Sequence, residues 1–210
     1  ILMTWGWRAC FIITGSIGFI WVIAWYFMYE KPEKNRRLSA AELAYIQSDP
    51  VLPQAHVPWL QLLRYRGTWA NIVGTCFSAP VWWFYLNWVP GFLHQQYGVN
   101  LMAAMLPLII IYTMADVGSV GGGWLSSFLI KKGVKTLRAR KIAFLVCGLC
   151  VVPVFMASQV SNMWVAVLLI GLAASAHQGY SANVYTIVTD TMPRNTVGSV
   201  VGIGGFCAYI

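Results

Sequence analysis

Long apolar stretches separated by short loops constrain the fold of this chain more than any other feature of its sequence. Each stretch is long enough to cross about 30 Å of hydrocarbon as a helix, which takes roughly 20 residues. Most of the 14 Lys and Arg residues fall in two loop clusters, which the positive-inside rule places in the cytoplasm. The sequence therefore predicts an all-α, polytopic membrane helix bundle. The clusters are Lys31, Lys34, Arg36, Arg37, Arg64 and Arg66, and Lys131, Lys132, Lys135, Arg138, Arg140 and Lys141.

Six spans are predicted, and the last of them is truncated. The first ends in the cytoplasm at Lys31, and the others then alternate in direction because the loops near 95–100 and 158–162 contain no Lys or Arg. The chain starts at Ile1 without Met and stops inside an apolar run, so we expect it to be part of a longer multi-pass protein. The predicted spans are 9–29, 70–92, 102–129, 142–159, 163–189 and 197–210.

The spans predict three parts: one span at 1–30, a cytoplasmic linker at 31–68, and the first helices of a second bundle at 69–210. Within the linker, Ser39 and Glu42 have the spacing of a capping box, which predicts a short helix through about Gln47. A second amphipathic segment, 59–64, is predicted to lie along the inner membrane surface.

Composition excludes several classes of function. Charged residues make up only 10% of the chain, against about 25% in a soluble domain, and the mean hydropathy is +0.65. The net charge of +8 is explained by topology, so nucleic-acid binding is not predicted. Cys147 and Cys150 have the spacing of a metal or redox pair, but they lie within a span without a second pair, and we interpret them as small buried hydrophobic residues. No metal, cofactor or enzymatic activity is predicted.

Polar side chains within three spans follow one face when the helices are projected at 100° per residue. Ser78, Asp116 and Gln178 all come near the middle of the bilayer, where polar groups are costly. Hydrogen-bonded helix contacts would explain single Ser or Thr residues, whereas the combination favours a water-filled cavity. The three stripes are Asn71, Thr75, Ser78, Trp82 and Tyr85; Tyr112, Thr113, Asp116, Ser119, Gly123 and Ser127; and Ser175, Gln178, Ser181, Tyr185, Thr186 and Thr189, with Asn183 and Asp190 beside the last.

Asp116 and His177 are the titratable residues at this depth. Burial of the Asp116 carboxylate would force it to pair or to take up a proton, which leaves three roles open: proton relay, a hydrogen bond to a substrate hydroxyl, or a tie between helices. His177 is adjacent to Gln178 but projects onto the apolar arc of its helix. We interpret it as structural or as a contact to another helix.

Aromatic residues at 82–85 suggest the kind of ligand. Aromatic rings pack well against the apolar faces of sugars, and Trp82 and Tyr85 lie on the polar stripe, whereas the other aromatic residues are interpreted as packing against lipid. The candidate substrate-binding residues are Ser78, Trp82, Tyr85, Gln178, Ser181, Asn183 and Tyr185.

Several segments resemble one family of membrane proteins. Residues 115–126, with three consecutive glycines, followed by Lys131-Lys132-Gly133, resemble the eighth helix and following loop of the major facilitator superfamily, in its anion:cation symporter branch. Residues 177–193 and 197–205 resemble bacterial hexuronate transporters, and 5–8 look like the start of the sixth helix. The resemblance covers helices six to eleven of twelve, with one departure: Ser126-Ser127 stands where the family usually carries an Asp before its basic cluster.

The resemblance implies a fold and a function. Residues 1–30 would be the last helix of the N-terminal bundle, and 69–210 an incomplete C-terminal bundle. The protein would be a secondary active transporter of the bacterial inner membrane that carries a hexuronate such as galacturonate or glucuronate together with protons, by alternating access. The partners would be this small carboxylate, protons and the lipid bilayer, with Asp116 as the candidate for proton coupling. The cationic residues for the carboxylate would lie in the missing half.

Other functions stay open. A symporter of another organic anion, such as galactonate, an aromatic acid or a dicarboxylate, fits the same residues. An integral-membrane enzyme is disfavoured because the spans carry few acids or histidines near a membrane face, and a channel because rings of like charge are absent. The oligomeric state and the coupling stoichiometry are not determined by these patterns.

Overall fold

The computed structural model describes residues 2–35, 38–48, 57–100 and 102–209. Every regular element in these ranges is helical, so the predicted all-α class is confirmed. Arg36 and Arg37 of the first basic cluster lie outside the described residues. The helices are α1 (Leu2–Met28), α2 (Ala40–Gln47), α3 (Trp59–Leu62), α4 (Arg66–Tyr97), α5 (Met105–Lys131), α6 (Thr136–Val151), α7 (Met163–Thr191) and α8 (Val197–Ala208), with 3₁₀ turns at Pro32–Lys34, Val152–Met156 and Arg194–Thr196.

The first of two compact units ends at Leu52 and contains α1 and α2. α1 is interrupted at Gly6, which has φ 76° and ψ 175°, a conformation that glycine adopts at little cost. The predicted N-cap at Ser39 is confirmed, because the backbone N–H of Glu42 donates to Ser39 Oγ over 3.2 Å, which is one of the two hydrogen bonds of a capping box. α2 ends at Gln47, as the sequence predicts.

The second unit begins at Pro53 and contains α3 to α8. α7 is its central helix, since it contacts α4, α5, α6 and α8. Small residues at the contacts allow α7 to pack closely against α5. A Cβ added at Gly122 of α5 would overlap the Cα of Gly179 of α7, and one at Gly118 would overlap the backbone of Ser175. The helices therefore approach to backbone contact, as small residues allow in membrane bundles.

Within the described residues, four helical stretches are long and apolar enough to cross a membrane, namely Trp5–Met28, Met105–Lys131, Thr136–Met156 and Met163–Thr191. They correspond to the predicted first, third, fourth and fifth spans. α4, at the second predicted span, runs for 32 residues with Pro80 and Pro90 inside it, and is not among these apolar helices. Its polar stripe lowers its hydropathy. α8 has 12 residues, which is shorter than a complete span.

The end of the predicted linker packs as part of the second unit. Leu62 is fully buried in a cluster with Val188 and Val200. The Thr68 hydroxyl donates to the Leu62 carbonyl over 2.6 Å, and the Trp69 indole N–H donates to the Leu63 carbonyl over 2.8 Å. These bonds fix the turn between α3 and α4. In the predicted amphipathic segment 59–64, Leu62 is buried while Trp59, Leu60, Gln61 and Arg64 are exposed, and its location at the membrane surface stays a prediction.

Candidate functional site

A cavity of about 170 Å³ lies between α4, α7 and α8, near the middle of α4 and α7. Most of the polar groups that line it are hydroxyls and amides, and the described residues bring no Lys, Arg, Asp or Glu to its wall. Such a wall can exchange hydrogen bonds with a polyhydroxylated ligand without carrying charge. The lining residues are Thr75, Ser78, Ala79, Trp82, His177, Gln178, Ser181, Val184, Tyr185, Gly205, Ala208 and Tyr209.

Five of the seven predicted substrate-binding residues line this cavity. They come from two helices because the polar stripes of α4 and α7 face each other. Successive members of a stripe are three or four residues apart and so share one face of the helix. The five residues are Ser78 and Trp82 on α4, and Gln178, Ser181 and Tyr185 on α7.

Tyr85 lies on the same stripe of α4 but lines other cavities. It is seven residues beyond Ser78, which places it roughly 10 Å further along the helix axis. There it is buried and borders a cavity of about 610 Å³ between α4, the 3₁₀ turn after α6, and α7. Helical projection gives the direction of a side chain around the helix axis but not its position along that axis. The sequence pattern therefore grouped Tyr85 with residues that lie at a different depth in the bundle.

Asn183 lies outside the cavity and is fully buried between α5, α6 and α7. Its side-chain amide donates to the carbonyls of Gly122 and Gly179, both over 2.9 Å, and its Oδ1 accepts from Arg140 Nη1 over 3.1 Å. Asn183 is five residues from Gln178, which turns it away by about 140°. The structure therefore separates it from the predicted group and gives its polar atoms partners within the bundle.

Asp116 is exposed on α5 and lines none of the cavities described above. The buried face of α5 is formed by Ile111, Ala115 and Gly122, and Asp116 is turned about 100° from Ala115. Among the described residues, the structure therefore does not bring the Asp116 carboxyl to this cavity. Its role in proton coupling stays a prediction.

Arg140 forms a buried polar cluster that the sequence did not predict. The sequence pattern placed Arg140 in a loop, but it lies in α6, and its side chain is only 7% exposed. Its Nε donates to Asp190 Oδ2 over 2.9 Å, and its Nη1 donates to Ser126 Oγ over 2.5 Å and to Asn183. The sequence did contain one signal for this pair, because Arg140 and Asp190 carry opposite charges and lie at the ends of neighbouring predicted spans. This polar cluster joins α5, α6 and α7 at the end of the bundle where the other residues of the second basic cluster lie.

His177 lines the cavity, and it also contacts another helix as the sequence interpretation allowed. Its Nε2 lies 3.0 Å from Ser78 Oγ and 2.9 Å from the Ser78 carbonyl oxygen. The ring is parallel to the Trp82 indole within 6°, with 6.1 Å between the centroids. Trp82 in turn meets Tyr112 edge to face at 6.2 Å. These ring contacts hold the Trp82 indole, which lines the cavity together with Tyr185 and Tyr209.

Several transporters have sequences that are similar to this chain. The chain is 28% identical over 218 residues to the D-galactonate transporter of Escherichia coli, covering 98% of this chain and 50% of that protein. It is 28% identical over 214 residues to the hexuronate transporter of E. coli, covering 97% and 49%. It is 29% identical over 217 residues to the probable galactarate/D-glucarate transporter of E. coli, again covering 97% and 49%.

The chain thus spans about half the length of the relatives it matches. The family model of the Major Facilitator Superfamily matches residues 1–210. Together with an all-α fold of long apolar helices, this match shows that the chain belongs to the major facilitator superfamily.

Proposed function

We propose that this chain is part of a secondary active transporter that carries a sugar acid across the bacterial inner membrane by proton-coupled symport. The supporting observation is the cavity between α4, α7 and α8, whose described wall has no Lys, Arg, Asp or Glu and combines the Trp82 indole with hydroxyl and amide groups. The named relatives support the substrate class, since they are transporters of hexuronate, galactonate and galactarate or D-glucarate.

The chemistry of the wall fits the polyol part of such a substrate. Trp82 offers an aromatic face against which the C–H groups of a sugar can pack. Gln178 can donate and accept hydrogen bonds through one amide, and Ser181 through its hydroxyl. Because the described lining is uncharged, we expect the carboxylate to be bound with help from the half of the transporter outside this chain.

Hexuronates such as galacturonate are our first choice of substrate, and galactonate or another organic anion is the alternative. The relatives with these different names are 28% to 29% identical to this chain, so similarity does not separate them. Uptake of galacturonate, galactonate and galactarate by the full-length protein in proteoliposomes would decide. Accumulation of galacturonate driven by an inward proton gradient supports the proposal, whereas no accumulation of any of the three acids would refute the substrate class.

The transport cycle would use alternating access, in which two bundles rock about a central site. The loop after α5 and the loop before α3 would face the cytoplasm because of their basic residues. The cavity lies away from both ends of α4 and α7, as a central site requires.

The binding residues can be tested by substitution in the full-length protein. Trp82→Ala and Gln178→Ala should each weaken substrate binding by about 1–3 kcal/mol, or roughly 5- to 150-fold, because a stacking surface or a buried hydrogen bond is lost. The matched controls are Trp124→Ala and Gln159→Ala, since both side chains are exposed and line no part of the cavity. Unchanged affinity in both cavity variants would contradict the proposed site.

A further inference from the structure

His177 is a buried imidazole at the border of two cavities. His177 is 8% exposed. It lines both the cavity bordered by Trp82 and an adjoining cavity of about 270 Å³ between α4, α6 and α7. Its Nε2 and Nδ1 atoms have different surroundings, and this difference determines what the ring can do.

The surroundings of Nε2 favour a proton on this atom. It lies 2.9 Å from the carbonyl oxygen of Ser78, which can only accept a hydrogen bond. If Nε2 carried no hydrogen, its lone pair and a lone pair of the Ser78 carbonyl oxygen would face each other at this distance. On this ground we assign the hydrogen of the neutral ring to Nε2, where the Ser78 carbonyl accepts it, and the lone pair to Nδ1.

The Nδ1 atom is buried and has no hydrogen-bond partner among the described residues. Such unpartnered buried atoms are rare, because each lacks the hydrogen bond that water would supply. A proton added to Nδ1 would turn the lone pair into a donor and would leave the Nε2 bond to Ser78 intact. The ring is thus held in the tautomer that can take up a proton without losing its existing contact.

No described group near His177 would balance the resulting charge. Each helix around it contributes only uncharged or weakly acidic side chains to the two cavities, and Asp116 lines neither. A buried cation without a counter-ion is unfavourable. The titratable groups that face the ring or line these cavities are Tyr85 on α4, Cys147 on α6, Tyr180 and Tyr185 on α7 and Tyr209 directly after α8, while α5 contributes Tyr112 through its contact with Trp82.

We propose that His177 takes up a proton when the anionic substrate enters the cavity, so that the imidazolium becomes a cation for the substrate carboxylate. One proton from the aqueous phase binds to Nδ1, no covalent bond is broken, and the proton leaves when the anion leaves. Anion and proton then favour each other's binding to the same extent, as linkage requires. This inference rests on the proposed function, and it assigns a charge to a cavity whose described wall is otherwise neutral.

The test compares anion binding at two pH values in the purified full-length protein. The dissociation constants of galacturonate and galactonate are measured by calorimetry at about pH 5.5 and about pH 8, on either side of the usual imidazole titration. His177→Gln keeps an amide donor for the Ser78 carbonyl but cannot titrate. His94→Gln is the matched control, because His94 is exposed near the end of α4 and lines none of these cavities.

We expect the His177→Gln variant to bind the anion about tenfold more weakly at the acidic pH and less than about twofold more weakly at the alkaline pH, since one pKa unit corresponds to a factor of ten. The number of protons taken up per anion should fall by about one relative to wild type, measured in buffers of different ionisation enthalpy. The His94→Gln variant should match wild type in both measurements.

An equal loss of affinity in His177→Gln at both pH values would overturn the proposal, because it would show that His177 makes an ordinary structural contact. An unchanged number of protons taken up per anion in this variant would also overturn it. If His177→Gln does not elute as a folded protein, His177→Asn is held to the same criteria. Failure of wild type to bind either acid would instead refute the proposed function, and this is established before any variant is compared.

Discussion

Removal of the Asp190 carboxylate should destabilise the bundle more than removal of the Arg140 side chain that it pairs with. The Arg140 side chain is 7% exposed, whereas that of Asp190 is 22% exposed. Among the residues that the structure describes, the variant Asp190→Ala leaves the buried guanidinium with two neutral acceptors, Ser126 Oγ and Asn183 Oδ1. Breaking a buried ion pair from one side costs about 3–5 kcal/mol, and we expect about 3 kcal/mol because water reaches part of this pair.

The variant Arg140→Met has a different effect because it removes the more deeply buried charge. The remaining Asp190 carboxylate is partly exposed and can be hydrated, while Asn183 Oδ1 loses one donor. We expect a loss of about 1–2 kcal/mol in the free energy of unfolding, the usual cost of an unpaired buried acceptor. The double variant should be less destabilised than the sum of the two single variants by at least about 1 kcal/mol.

The assay is reversible unfolding of the purified full-length protein by SDS in mixed micelles. Lys141→Met is the matched control, since Lys141 is the exposed neighbour of Arg140 on α6 and should change stability by less than about 0.5 kcal/mol. Equal losses for Asp190→Ala and Arg140→Met, with no coupling between them, would refute this reasoning, because the two groups would then act as separate surface charges.

Three further predictions concern packing, topology and the linker. Gly122→Ala should destabilise the bundle by about 1–3 kcal/mol because its Cβ overlaps the backbone of the facing helix, whereas Gly121→Ala, with open space around it, should not destabilise it in the same SDS assay. In a cysteine-free background, a Cys at Asn100 should react with an impermeant maleimide in whole cells and one at Lys135 should not; the reverse pattern would contradict the orientation. Ser39→Ala should weaken α2 by about 1 kcal/mol through loss of its N-cap, which faster amide exchange in α2 would report and unchanged exchange would disprove.

The sequence by itself determined the features that depend on neighbours along the chain. The N-cap contact between Ser39 and Glu42 and the end of α2 at Gln47 follow from contacts three or four residues apart. The long apolar helices follow from the length and composition of each segment. The stripe that brings Ser78 and Gln178 to one cavity follows from helical periodicity, because each helix is nearly regular and its polar face is turned inward.

The tertiary structure decided which of these faces meet and at what depth. Asn183 and Tyr85 belonged to the predicted group, yet a turn of about 140° separates Asn183 from Gln178, and about 10 Å along the axis separates Tyr85 from Ser78. His177 projected onto the apolar side and nevertheless reaches the cavity, since α4 packs against that side of α7.

The pairing of Arg140 with Asp190 is likewise a property of the assembled bundle. The two residues are 50 positions apart, and no local pattern relates them. They meet because α5 and α7 approach to backbone contact at Gly122 and Gly179, while α6 packs against both. A single helix determines the direction of its side chains, whereas the spacing, rotation and relative height of several helices depend on the packing of all of them, and this packing decides whether a polar residue faces a cavity or another helix.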